Sequence, residues 1–190
     1  MNYTIYIIIG VGVALLLYLI SVYNGFIQLK NKVDEGWADI DTQLKRRYDL
    51  IPNLVETVKG YAKHENKTFE YVTKARTAAM NAGTPAEKAQ AENMLSATLK
   101  SLFAVAESYP ELKANQNFMD LQGTLTDTED KLQLARRYYN ATVRDFNTKL
   151  ETFPDNVVGG IMQFKKRNYF EINNPAEKEN VKVSFSDDKK

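Results

Sequence analysis

The sequence of 190 residues has no cysteine, a single histidine and a single tryptophan. Without cysteine the chain has no disulfide framework, no thiolate nucleophile, no thiolate metal ligand and no cysteine to carry a lipid. A single histidine excludes any site that needs two imidazoles from one chain. The formal net charge is +1, from 25 Lys and Arg against 24 Asp and Glu, so the chain has no general attraction for nucleic acid or acidic substrates. Its length suits one domain with an appendage.

Charge is also missing from residues 1–29, and Lys30 is the first charged residue. Ile5 to Val22 forms an apolar run within this stretch. As a helix rising about 1.5 Å per residue, Tyr3 to Tyr23 spans roughly 31 Å, close to the thickness of a hydrocarbon core. A cleaved secretory signal is the alternative, but no basic segment precedes the run and no A-x-A-type cleavage site follows it. We therefore predict a retained transmembrane anchor at residues 1–24.

The charges that flank this anchor favour one orientation. No Lys or Arg precedes the apolar run, whereas Lys30 and Lys32 follow it closely. By the positive-inside bias, this pattern favours a cytoplasmic domain with the N-terminus outside. Two lysines are a small difference, and the sequence leaves the opposite orientation open.

The five prolines divide the rest of the chain into segments that read as helices, because a helix interior avoids proline. Apolar residues recur at spacings of three and four in four sets. These sets run from Phe26 to Leu44, from Ile51 to Ala79, from Ala91 to Tyr109 and from Phe118 to Phe153. Such stripes predict an all-α fold, an elongated antiparallel four-helix bundle over residues 25–154. The bundle needs short links between neighbouring helices, so we predict a reversal at Pro52, with a kink as the alternative.

Local signals support these boundaries. Thr84-Pro85-Ala86-Glu87 combines an N-cap threonine, a proline at the first helical position and a glutamate at the third, which predicts a capping box. Gly36, Gly60 and Gly123 fall inside predicted helices. A glycine there is unfavourable, so either close helix approach or local irregularity is expected.

Residues 155–172 have a different character. Val157 to Phe164 is a short apolar piece with two glycines, and a basic run of Lys165, Lys166 and Arg167 follows. One interpretation is a strap that closes one end of the bundle. The other is an interfacial or partner-binding loop whose basic residues meet anionic lipid headgroups. Residues 173–190 are polar, and we predict a mobile tail.

A search for catalytic motifs finds none. His64-Glu65 begins like a zinc-protease signature, but Thr68 stands where the second histidine is needed. The sequence has no phosphate-binding glycine loop, no nucleophile elbow and no Glu-x-x-His pair of the kind that builds di-iron sites. We therefore predict no enzymatic activity, no metal and no cofactor.

Two short basic clusters lie on predicted helices, Arg46-Arg47 and Arg136-Arg137. Solvated faces, or ion pairs with Asp49, Asp130 or Asp145, are the simplest interpretation. Together with the strap they form the candidate interaction surface, which comprises Arg46, Arg47, Arg136, Arg137, Ile161, Phe164, Lys165, Lys166 and Arg167.

From about Tyr23 to Phe170 the chain resembles the LemA family of bacterial membrane-associated proteins. The resemblance rests on Trp37 to Asp41, Gln43 to Val55, Lys59 to Tyr61, Thr84 to Ala89, Phe103 to Pro110, Leu112 to Asn115, Ala135 to Asn140 and Phe153 to Gly160. It implies an anchor followed by a helical bundle, and a role in membrane or envelope organisation, with relatives linked to magnetosome formation and to membrane proteases. It implies no catalytic residues, because the family has no established reaction.

The sequence therefore predicts a single-pass scaffold in a bacterial cell membrane, the inner membrane in a Gram-negative cell. Its expected partners are the lipid bilayer and other membrane or envelope proteins, and a homo-oligomer is left open. A receptor or enzyme with a polar ligand site inside the bundle is the alternative. Balanced charge and membrane tethering disfavour a nucleic-acid-binding regulator.

Overall fold

The computed structural model describes residues 3–171, and all of their regular secondary structure is helical. The predicted all-α class is thus confirmed. The six helices are α1 (Tyr3–Tyr61), α2 (Asn66–Asn81), α3 (Pro85–Glu107), α4 (Pro110–Lys113), α5 (Gln116–Glu151) and α6 (Asp155–Ile161). The tail predicted at 173–190 lies outside the described residues.

Helix α1 continues without interruption through Pro52, so the predicted reversal at this proline is wrong. A proline inside a helix removes the hydrogen bond to the carbonyl four residues earlier, here that of Tyr48. In this fold the Tyr48 carbonyl instead accepts a hydrogen bond from Nε of Arg76, at 2.7 Å. The pyrrolidine ring of Pro52 faces solvent, and the chain reverses after Tyr61.

Helices α1 and α5 form a long antiparallel pair. Near one end Lys149 lies beside Gly25, near the middle Tyr139 lies against Gly36, and at the other end Asn115 donates a hydrogen bond to the Tyr61 hydroxyl at 2.9 Å. A Cβ on Gly36 would lie 3.1 Å from the Cα of Tyr139. Glycine at this position therefore permits close approach of the two backbones, whereas Gly60 and Gly123 meet no neighbour within 4 Å.

The α2–α3 hairpin covers the half of this pair that lies away from the apolar run. The predicted capping box starts α3, because the Glu87 amide donates to Thr84 Oγ1 at 3.2 Å and the Thr84 amide donates to Glu87 Oε2 at 3.0 Å. Lys88 of α3 forms an ion pair with Asp41 of α1 at 2.7 Å. The four-helix arrangement is thus confined to this half of the bundle.

In the other half an extended segment, residues 164–171, takes the place of the hairpin. Phe164 stacks on Phe26 with ring centroids 4.9 Å apart, and Phe170 meets Trp37 edge-on at 5.7 Å. Phe26 and Phe170 are completely buried. The strap therefore supplies core side chains along the flank of the bundle as well as closing its end.

The buried core begins abruptly along α1. Every residue from 3 to 21 is exposed, and Val22 is the first buried one. Within the described part of the chain, α1 is the one helix long and apolar enough to cross a membrane. The bare N-terminal part of α1 is therefore compatible with the predicted anchor.

Candidate interaction surface

Arg47 does not lie on the surface where the sequence analysis placed it. Its residue exposure is 3%, and its guanidinium bonds Glu92 Oε2 at 2.6 Å and Ser96 Oγ at 2.9 Å. A weaker ion pair reaches the partly exposed Glu129 at 3.3 Å. Arg47 thus joins α1 to α3 and α5, and its partners are not the predicted aspartates. The neighbouring Arg46 is exposed.

Glu92 is the centre of this buried polar cluster and is completely inaccessible to solvent. Its second oxygen accepts a hydrogen bond from the Tyr48 hydroxyl at 2.5 Å. Burial raises the pKa of the Glu92 carboxyl, and the nearby Arg47 and Tyr48 act against that rise. Burial likewise raises the pKa of Tyr48, with the bonded Glu92 adding to the effect. The cluster cross-links helices in the core, where water cannot reach it.

The second arginine pair is also divided between interior and surface. Arg136 is half-buried, and its guanidinium carbon lies 5.6 Å from the ring centroid of Phe170. This is a cation–π contact, and it holds the end of the extended segment against α5. Arg137 is exposed. The four arginines therefore do not form one continuous face, and only Arg46 and Arg137 are fully accessible.

The predicted strap residues lie together at the other end of the bundle. Ile161 is 71% exposed, whereas the ring of Phe164 is partly buried against α1. Lys165 and Lys166 are exposed, and Lys166 forms an ion pair with Glu151. Arg167 pairs with Asp34 of α1 at 3.3 Å. This part of the candidate surface is spatially coherent.

Two asparagines of α5 fasten the extended segment, and the sequence analysis did not identify them. The Asn147 side chain accepts a hydrogen bond from the Arg167 amide and donates one to the Arg167 carbonyl, both at 2.9 Å. Asn140 repeats this arrangement with Phe170, at 2.9 and 3.1 Å. The seven-residue spacing puts both amides on one face of the helix. Each side-chain amide therefore supplies hydrogen bonds to backbone N–H and C=O groups of a segment that forms neither a helix nor a sheet.

A cleft of about 290 Å³ opens beside this segment, between Lys30 of α1, Phe146 of α5 and residues 163–167. Its rim is basic. No carboxylate among residues 3–171 forms an ion pair with Lys30 or Lys165. The side chain of Phe164 contributes to its apolar wall.

Helix α6 lies against α1 at the end of the apolar run. The Tyr18 hydroxyl donates a hydrogen bond to Asp155 Oδ1 at 3.1 Å, and Lys149 pairs with the other oxygen of this carboxylate at 3.1 Å. A Cβ on Gly159 would lie 3.2 Å from the Phe26 ring. One side of α6 therefore packs closely on α1, and the opposite side is left uncovered.

Residues 3–171 contain no group of three or more His, Cys, Asp or Glu side chains that could hold a metal ion. His64 is exposed in the turn between α1 and α2. The inward-pointing polar groups of the Arg47–Glu92–Tyr48 cluster chiefly bond one another, which makes them a structural cross-link between helices.

Comparison with known proteins gives consistent matches. The LemA family model matches residues 36–185. Magnetosome protein MamQ 2 of Paramagnetospirillum magneticum is 23% identical over 185 residues, which cover 84% of this chain and 68% of that protein. Protein LemA of Metamycoplasma hominis is 24% identical over 160 residues, with coverages of 82% and 71%. Magnetosome protein MamQ of Magnetospirillum gryphiswaldense is 22% identical over 184 residues, with coverages of 83% and 68%.

Proposed function

This chain belongs to the LemA family, and on that premise we propose that it is a single-pass membrane protein whose helical bundle is a scaffold for other proteins at a bacterial membrane. In this proposal the bundle has no reaction of its own and acts by contact. The bundle lies on the cytoplasmic side, as the lysines that follow the apolar run favour.

The observation that carries the proposal is the sharp change along α1 at Val22. On its N-terminal side every described side chain is exposed, and on its other side the helix packs in a continuous core. Burying one Leu or Ile side chain is worth about 1.5–3 kcal/mol. Leaving residues 3–21 in water would forfeit this gain many times over, whereas lipid provides it.

The names of the relatives, Magnetosome protein MamQ and Protein LemA, denote no reaction. The proposed contact surface for other proteins comprises Arg46, Arg137 and the exposed Lys166 of the strap. Arg47 and Arg136 are excluded from it, because their guanidinium groups serve the fold.

The anchor is tested by extraction of membranes at alkaline pH. The wild-type full chain should stay with the membrane pellet and enter solution only with detergent. The double change Val13→Asp and Leu16→Asp should release it, since a central Asp opposes insertion by about 2.5–3.5 kcal/mol. A matched control, Tyr71→Asp with Leu134→Asp, alters exposed apolar residues of the bundle and should stay in the pellet. Recovery of the wild-type chain as a dissolved monomer without detergent would overturn the proposal.

The scaffold role is tested by crosslinking in intact cells, followed by identification of the captured proteins. Replacing Arg46, Arg137 and Lys166 by alanine should reduce capture while the melting temperature stays unchanged, because these side chains are exposed. The control replaces Tyr71 by alanine. Equal capture by all forms would argue against this surface. A reporter fused after Lys190 that is active on one side only would test the orientation.

In the alternative of a ligand receptor, the ligand site would be the buried polar cluster around Glu92. A small ligand held there would need contacts that displace those between Arg47, Tyr48 and Glu92. Native mass spectrometry of the detergent-solubilised chain distinguishes the two functions. The scaffold proposal predicts the mass of the polypeptide alone, or of its oligomers, apart from lipid adducts. A stoichiometric non-lipid adduct that is lost in Glu92→Gln would favour the receptor.

A further inference from the structure

The polar helix α5 ends at the level where its partner α1 becomes apolar. Lys149 lies beside Gly25, with its Nζ 5.3 Å from the ring centroid of Phe26. Because the pair is antiparallel, Glu151, the last residue of α5, lies at roughly the level of Tyr23. A helix with a charged surface cannot continue into hydrocarbon. The end of α5 therefore marks the plane at which the bundle meets the bilayer in which α1 is proposed to be anchored.

Helix α6 and the turn before it lie at this plane and slightly to its membrane side. The hydrogen bond between Asp155 and Tyr18 places the start of α6 at the last turns of the apolar run. The ion pair between Asp155 and Lys149 and the packing of Gly159 on Phe26 fix α6 against both long helices. The segment is thus held rigidly at the boundary between the span and the bundle.

The outward edge of this segment is apolar. Phe153 is 78% exposed and Ile161 is 71% exposed, and Val157 and Met162 are also largely uncovered. The exposed apolar residues of α1 lie at the same end of the bundle, because Asp155 of α6 is bonded to Tyr18. Short amphipathic segments that lie in the interface bury such an edge about 5–10 Å into the boundary between headgroups and acyl chains.

Basic residues lie on the bundle side of this edge. Lys30 and Lys165 border the cleft beside the extended segment, and neither forms an ion pair with a carboxylate of residues 3–171. An apolar edge below these two lysines matches a bilayer surface that carries negative headgroups.

Building on the proposed anchor, we infer that the end of α5, helix α6 and residues 161–165 form a second membrane contact that lies in the headgroup region of an anionic bilayer. The contact fixes the bundle upright next to α1, so that its far end, with the α2–α3 hairpin, is held away from the membrane surface.

The absence of cysteine allows a direct test with single-cysteine variants of the full chain, each labelled with an environment-sensitive fluorophore. Phe153→Cys and Ile161→Cys report on the inferred contact, and Leu15→Cys reports on the anchor. Tyr71→Cys is the matched control, because Tyr71 is an exposed apolar residue of the distal hairpin. The vesicles contain phosphatidylcholine with or without phosphatidylglycerol. A lipid nitroxide at a shallow acyl position is the quencher for the probes at 153, 161 and 71, and one at a deep acyl position is the quencher for the probe at 15.

In anionic vesicles the probes at 153 and 161 should lose fluorescence to the shallow quencher, as expected for side chains at the acyl boundary, and the probe at 71 should lose none. Adding Lys30→Glu and Lys165→Glu should reduce quenching at 161 in anionic vesicles only. Quenching at 15 without quenching at 153 and 161 would overturn this inference and leave the anchor intact. No quenching at 15 would overturn both. Equal quenching in both kinds of vesicle would overturn the anionic preference. Blue-shifted but unquenched probes would indicate a protein partner, such as a second copy, and would overturn the lipid contact.

Discussion

Replacing Glu92 by alanine should be among the most damaging single substitutions in this bundle. Arg47 is 3% exposed and donates to Glu92 Oε2 at 2.6 Å, so loss of the carboxylate leaves a buried guanidinium with Ser96 and the more distant Glu129. Removing one partner of a buried ion pair destabilises a protein by about 3–5 kcal/mol. The Tyr48 hydroxyl loses an acceptor at 2.5 Å in the same change.

Thermal unfolding followed by circular dichroism of the detergent-solubilised chain measures this effect. For a domain of this size, Glu92→Ala should lower the melting temperature by about 6–20 °C. Glu129→Gln, which alters the partly exposed partner, should change stability by about 1 kcal/mol or less. The paired change Arg47→Met with Glu92→Leu should recover most of the loss, because no buried charge is then left without its partner. A Glu92→Ala protein as stable as the wild type, or a paired variant as unstable as the single one, would refute this reasoning.

Three further predictions concern pH, the strap and helix α6. Burial raises the pKa of Glu92 in the folded state, so the folded protein binds a proton at this carboxyl more readily than the unfolded chain. The unfolding free energy of the wild type should therefore rise relative to that of Glu92→Gln as the pH falls from neutral through the raised pKa. A relative fall on acidification would show that the pKa is lowered instead. Asn147→Ala leaves the backbone amide and carbonyl of Arg167 without their side-chain partners. The loss should weaken the packing of the strap on α5 by about 1–3 kcal/mol and should appear as altered Trp37 fluorescence and faster amide exchange. Unchanged exchange would contradict the fastening role. Gly159→Ala should loosen α6, because its Cβ would lie 2.8 Å from Leu150 Cδ2. In the control Gly160→Ala the Cβ meets nothing within 4 Å, and this change should stabilise the helix by up to about 1 kcal/mol. Equal effects of the two changes in an unfolding assay would argue against the close packing of α6 on the long helices.

The features that the sequence predicts correctly are set by neighbours along the chain. The capping box needs only residues 84–87, and its hydrogen bonds form as the local pattern requires. The helical stripes depend on spacing alone, and they predict the all-α class and most of the buried core. The exposed N-terminal part of α1 likewise follows from an uninterrupted apolar run.

The errors arise where distant residues decide the local structure. Nothing near Pro52 reveals that Arg76 will bond the carbonyl that the proline leaves free. The apolar spacing also continues through Ala62 and Phe69, which conceals the break between α1 and α2. Local sequence therefore located a reversal at the proline, whereas the tertiary contact allows the helix to continue.

The polar groups of the core are harder still to identify from sequence. Glu92 lies three, seven and ten residues before Leu95, Leu99 and Leu102, all buried. This spacing puts it on the buried face, but a charged residue there is normally assigned to solvent. Only the approach of Arg47 and Tyr48 from α1 explains its burial. The fastening role of Asn140 and Asn147 is equally non-local, since the segment they bind is 20 to 30 residues away.

In the proposed arrangement one continuous helix, α1, leaves the bilayer at about Val22 and enters the bundle. This arrangement can be tested with nitroxide labels, which are placed one at a time from residue 10 to residue 30, and at residue 33, of the cysteine-free chain. Each labelled chain is reconstituted in vesicles, and the collision rates of its label with oxygen and with a water-soluble nickel complex are measured. Such a helix should show dominant oxygen accessibility up to about Leu19 and a crossover near Tyr23. Beyond Tyr23 the accessibility should follow a helical period, with labels at Phe26 and Val33 protected from both reagents. High nickel accessibility throughout residues 10–21 would contradict it.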